Sequence, residues 1–172
     1  FDTLGVKKGQ GVVNAVLTKA VERAQRRLEA DHFAMRTRLL EYDQVVNEQR
    51  EVIYSQRRQV LEAENVHGLI LRMLRNVAAP EELAVLETAD SILPEELERT
   101  VLLKAVDRRW MDHIDDLEQL REGVGLFSYA QKDPVAEYRR AASQLFEQMN
   151  EAIRQDVLSS ILALAKKGEE GT

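Results

Sequence analysis

The sequence predicts an all-α, elongated protein: one very long helix packed against an antiparallel two-helix hairpin, with a short helical insertion between them. Three observations carry this. The 172 residues include only 8 Gly and 3 Pro, too few turn-formers for a β-rich fold. The 56 residues from Val12 to His67 contain neither Gly nor Pro. Apolar residues recur at heptad spacing in three separate stretches, the signature of striped helices.

The first stretch carries two seven-residue series, Leu28-Met35-Tyr42 and Leu39-Val46-Ile53-Val60. Both fall on one face at 3.5–3.6 residues per turn. At 1.5 Å per residue, ~50 helical residues reach about 75 Å, wider than a small domain. A helix of that length has to brace or pair with other elements. Gly5, Gly9 and Gly11 ahead of it read as a loose opening segment.

Residues 65–97 read differently. His67-Gly68 interrupts the pattern, Leu69–Leu74 is a short apolar piece, and Pro80 and Pro94 open two similar starts, Pro-Glu-Glu-Leu. Proline needs no donor at a first helical position and glutamate suits the positive dipole end, so each marks a helix start. The second long helix, from about Glu95 to Glu122, carries Leu103, Trp110, Leu117 and Val124 in one stripe, with Val106, His113 and Leu120 beside it. Gly123 and Gly125 are expected to stop it, and Trp110 is expected to be largely buried. Asp133-Pro134 reads as the cap and first residue of a third long helix striped by Tyr138, Leu145 and Ala152, fading at Lys166-Lys167-Gly168. Two striped helices joined by roughly ten residues fold back as a hairpin.

Composition narrows the chemistry. A net charge of −6 argues against a nucleic-acid partner. The absence of Cys excludes disulfides, thiol catalysis and Cys-based zinc sites. Ile161–Ala165 is far shorter than the ~20 apolar residues a membrane span needs. Gly9-Gln10-Gly11 lacks the remaining parts of a phosphate-binding loop, so no nucleotide site is expected in this chain. Asp112, His113, Asp115 and Asp116 form a tempting metal cluster, with His113 and Asp116 one turn apart. His113 nevertheless lies on the apolar stripe beside Leu117 and Leu120, and a packed histidine is the expectation. Leu126–Gln131, between two helix ends, is expected to be a contact surface with Tyr129 as its main residue. The alternative is a Tyr129 folded down against Leu126 or Phe127.

Two blocks resemble a known family. Leu39-Leu40-Glu41-Tyr42-Asp43-Gln44-Val45-Val46-Asn47-Glu48-Gln49-Arg50, followed by Val52-Ile53-Tyr54, resembles the long scaffold helix of SecA preprotein translocases. Trp110–His113, Leu120-Arg121-Glu122-Gly123, and Tyr129-Ala130-Gln131-Lys132-Asp133-Pro134 with Glu137-Tyr138 resemble that family's two-helix finger. The resemblance covers about residues 4–64 and 98–164. It implies an organisation of opening segment and scaffold helix (1–64), shortened helical wing (65–97), finger (98–167) and tail (168–172).

The resemblance further implies an ATP-driven motor that moves preproteins through the SecY channel, with this chain contributing scaffold and polypeptide contact. ATP and Mg²⁺ would belong to nucleotide-binding domains outside this chain, and no cofactor or enzymatic site is expected within it. Tyr129, Phe127, Leu126, Gln131 and Lys132 would meet the channel or the unfolded preprotein. Tyr42, Val46, Ile53, Trp110, Leu117 and Tyr138 would form the scaffold core. The implied location is the cytoplasm, peripheral at the cytoplasmic face of the inner membrane. The tip reads Leu126-Phe127-Ser128-Tyr129 where the family usually has Leu-Arg-Gly-Tyr, which removes a cation and a flexible residue. The competing readings are a generic helical-bundle interaction module, with its interface along the helices, and a metal-dependent enzyme centred on His113.

Overall fold

A computed structural model describes residues 2–89, 93–126 and 133–171, with side chains from residue 11 onward. Its elements are α1 (Asp2–Glu62), α2 (Val66–Leu74), α3 (Pro80–Ala89), α4 (Glu95–Leu126) and α5 (Pro134–Glu170), and the described residues contain no strand. The chain divides into two units, Phe1–Asp43 and Gln44–Thr172.

In the first unit the backbone is helical from Asp2 onward, so the expected loose opening is instead helix. Gly costs about 1 kcal/mol against Ala in a helix, but each added residue still gains a backbone hydrogen bond once the helix exists. Only proline would remove the donor, and none is present there. Residues 11–36 are all exposed, including Val13, Leu17, Leu28 and Met35. Tyr42, at the end of this unit, is 8% exposed.

The second unit holds the core. Ile53 and Val60 of α1 join Val66, Ile70 and Leu74 of α2, Leu86 and Ala89 of α3, Leu102 and Val106 of α4, and Met149–Ala165 positions of α5 in one apolar cluster. On α5 the buried residues Tyr138, Ala142, Met149, Ile153, Val157, Ile161 and Ala165 recur at intervals of four, and once of seven. That is the spacing of one helical face, and α4 covers much of it.

Local capping chemistry explains two of the helix starts. Asp133 is extended, and its carboxylate accepts from Ala136 N at 3.1 Å, with Pro134 in the first turn of α5. Asn65 caps α2 by accepting from Gly68 N at 2.9 Å. Gly68 therefore lies inside α2, and the chain breaks at 63–65 rather than at His67-Gly68. A Cβ on Gly68 would sit 2.6 Å from Asn65 Nδ2, so a larger residue there would push the capping side chain aside.

Two other glycine stops also move. α4 continues through Gly123 and Gly125 to Leu126, because Val124 between them is 6% exposed and anchors the last turn. α5 passes Gly168 and ends at Glu170.

Candidate functional site

The sequence singles out the hairpin tip and the surface where α1 meets the hairpin. At the tip the structure describes the two ends. Leu126 is the last residue of α4 and is 79% exposed. It belongs to a helix end rather than to a loop, since α4 outlasts its glycines. Phe127, Tyr129, Gln131 and Lys132 lie outside the described residues.

At the α1–hairpin surface, the buried face of α4 runs through Leu102, Ala105, Val106, His113, Leu117 and Val124. Leu103 and Trp110 are partly buried at its edge and pack against the core cluster. In the first half of α4 the interior is met by Val106 and His113, the row beside Trp110, and further on by Leu117 and Val124 of the Trp110 row itself. Trp110 also lines an open cleft of about 700 Å³ with Tyr54, Arg57, Leu61, Asp107 and Met111. Of the other expected core residues, Ile53, Leu117 and Tyr138 are 1–2% exposed, and Val46 is half-buried.

His113 is 2% exposed, beside the rings of Trp110 and Phe146 at centroid distances of 5.6 and 5.8 Å. Its Nε2 is 2.7 Å from Gln49 Oε1, while Gln49 Nε2 donates to the backbone carbonyl of Ala142 at 3.1 Å. A carbonyl only accepts, so the Gln49 amide nitrogen must face Ala142 and its oxygen must face the histidine. His113 therefore carries its proton on Nε2 and donates. Burial pushes its pKa below the ordinary histidine value, against a smaller upward pull from Asp116. The result is a neutral relay, His113 to Gln49 to Ala142, joining α4, α1 and α5.

The carboxylates of the tempting cluster do not converge on this histidine. Asp112, Asp115 and Asp116 are exposed, and no group of three metal-ligating side chains occurs among the described residues. What His113 does here is tie helices together.

Charged pairs flank the relay. Arg57 forks onto Asp107 at 2.9 and 3.3 Å, linking α1 to α4. Arg109 forks onto Asp156 at 2.6 and 2.8 Å, linking α4 to α5. The Arg109 hydrogen bonds hold the Asp156 carboxyl below its usual range. Arg139 of α5 lies 3.6 Å from Glu48 of α1.

Gln49 and Glu98 are the residues that sequence reasoning missed. Gln49 lies between Val46 and Ile53 on the α1 stripe, and Glu98 lies one turn before Leu102 on the α4 face. A polar residue interrupting an apolar row was the available signal.

The described architecture is therefore a long helix cross-tied to a helical hairpin, with a small helical pair between them in the chain. The SecA Wing and Scaffold domain matches residues 12–90 and 78–165, and the chain belongs to that family. It is 36% identical to the protein translocase subunit SecA of Acetivibrio thermocellus over 94% of this chain and 24% of the relative. It is 34% identical to that of Aquifex aeolicus over 99% and 23%, and 32% identical to that of Lachnoclostridium phytofermentans over 94% and 26%.

The chain thus spans about a quarter of the length of the curated relatives it matches. The two family matches overlap on residues 78–90, which contain α3. The Acetivibrio alignment is 220 positions long, so at least 48 of them have no counterpart in a chain of 172 residues.

Proposed function

We propose that this chain is the scaffold and polypeptide-contacting part of an ATP-driven SecA motor that moves preproteins through the SecY channel. The carrying observation is the family match across residues 12–165. On this reading residues 1–64 form the opening segment and scaffold helix, 65–97 a shortened wing, 98–167 the finger and 168–172 a tail. The surplus positions in the relatives' alignment and the match break at α3 support a shortened wing. Nucleotide-binding domains of the same parent protein cover the exposed apolar face of α1 and supply ATP and Mg²⁺ binding. The work is done at the cytoplasmic face of the inner membrane, reached through the channel; no helix among the described residues is long and apolar enough to cross a membrane.

In this role Tyr129, with Phe127, Leu126, Gln131 and Lys132 around it, contacts the unfolded preprotein or the channel mouth. An amphipathic ring with a hydroxyl grips polypeptides of many sequences at low conformational-entropy cost. The generic interaction module weighed from sequence has no observation in its favour.

The test is a chimera in which this chain replaces the Wing and Scaffold region of a transport-competent SecA. The chimera is expected to drive preprotein into vesicles. Tyr129→Ala is expected to reduce transport sharply while nucleotide binding persists and stability stays within ~0.5 kcal/mol. A Tyr129→Ala chimera that transports normally would remove Tyr129 from the contact role, and a chimera that never transports would count against the whole reading.

A further inference from the structure

The break between α1 and α2 exposes helix-end groups on both sides, and one turn of α4 takes several of them. Arg99 Nη1 donates to the carbonyls of Val60 at 2.6 Å and Leu61 at 3.0 Å. Its Nη2 donates to the carbonyl of Ala63 at 3.1 Å, and Glu96 holds its Nε at 3.1 Å. Next to it, Glu95 Oε1 accepts from Val66 N at 3.1 Å, at the first residue of α2. Glu98 Oε1 lies 2.8 Å from His67 Nδ1, with side chains 1% and 9% exposed.

The last carbonyls of a helix have no partner within it, and here a third helix supplies one. The Arg99 side chain is only 16% exposed, so water competes poorly for these charge-assisted bonds. A guanidinium is a rigid planar fork whose nitrogens point in fixed directions. Three carbonyls caught on two prongs, with the third nitrogen braced by Glu96, define an orientation as well as an attraction.

We propose that Arg99 is a positioning residue that makes the α1–α2 corner a fixed joint rather than a hinge. The end of α1, the start of α2 and the first turns of α4 then move as one body. The consequence for transport rests on the translocase reading: a displacement of the end of α1 is handed to the α4–α5 hairpin without being absorbed at the corner. The joint itself does not depend on that reading.

The chain has no Cys, so paired spin labels can be placed cleanly on the 172-residue chain. Exposed Ser55 and Arg75 report the corner, and exposed Glu118 and Glu147 report the hairpin as a control. The parent is expected to give a single narrow distance distribution at each pair. Arg99→Gln is expected to at least double the width at the corner, with helical content and the hairpin distances unchanged. Arg99→Lys is expected to fall between the two, because an ammonium offers one nitrogen where the fork offers three. A folded Arg99→Gln variant with an unchanged corner distribution would overturn the proposal. Should that variant fail to fold, Arg99→Lys decides: broadening supports the joint, and a width equal to the parent's overturns it. The distances are read on the chain alone, so the joint stands or falls separately from any transport result.

Discussion

Two stretches of α1 carry the same kind of sequence and meet opposite fates. Leu28 and Met35 repeat at seven-residue spacing and are 56% and 60% exposed. Ile53 and Val60 repeat at the same spacing and are 1% and 5% exposed. The difference lies in what is available to cover them. The second unit contains α2, α4 and α5 to close over Ile53 and Val60, and the first unit consists of its own helix alone. Periodicity therefore states which face of a helix is apolar, and a covering element has to be found separately. In a chain spanning about a quarter of its relatives' length, the translocase reading assigns that cover to the rest of the parent protein.

The contrast should be largest in stability. Tyr138→Ala and Ile53→Ala remove side chains that are 1% exposed, and each is expected to cost ~2–5 kcal/mol. Leu28→Ala and Met35→Ala in the first unit are expected to change urea stability by less than ~0.5 kcal/mol. A Leu28→Ala variant as damaged as Ile53→Ala would show that the first stretch is covered after all.

A smaller loss is expected at the relay. Gln49→Ala leaves the His113 N–H without its partner, which should cost ~1–3 kcal/mol. Unchanged stability would mean that water replaces the amide and that α1 is not tied to the hairpin there.

The pH dependence should be smaller still. His113 is neutral when folded because burial lowers its pKa, whereas the unfolded chain protonates it near the ordinary value of about 6.5. Below that pH the unfolded state binds a proton that the folded state resists, so stability is full above about pH 6.5 and falls as the pH drops. Urea midpoints at pH 7.5 and 5.5 should show this decline, with a shallower one in His113→Gln. Equal declines in parent and variant would assign the effect to other groups.

Much of the fold was legible because it rests on spacing. The three long stripes announced α1, α4 and α5, and Asp133-Pro134 announced the start of α5 through capping chemistry that is local to the sequence. The glycine stops were not legible. Gly123, Gly125 and Gly168 carry only a modest helix penalty, and whether a helix runs past them depends on tertiary anchors such as Val124. The rotation of α4 was also hidden, since adjacent rows ending in Trp110 and His113 are equally regular in sequence. Packing against α1 and α5 took Val106 and His113 from one row and Leu117 and Val124 from the other.

Of the site, the packed role of His113 could be read from its place in a stripe. Its partner Gln49, 64 residues earlier in the chain, could not be. Arg99 looked like any solvated arginine, because the helix-end carbonyls it caps lie 36–39 residues away.

The central claim is that the apolar face of α1 is covered in one stretch and uncovered in the other. Amide hydrogen exchange on the isolated chain reads this directly, residue by residue. Amides of residues 44–62 are expected to exchange slowly, near the rate set by global unfolding, while those of residues 11–36 exchange orders of magnitude faster. Equal, slow exchange along the whole of α1 would show that the first stretch already has its partner, and would contradict the account.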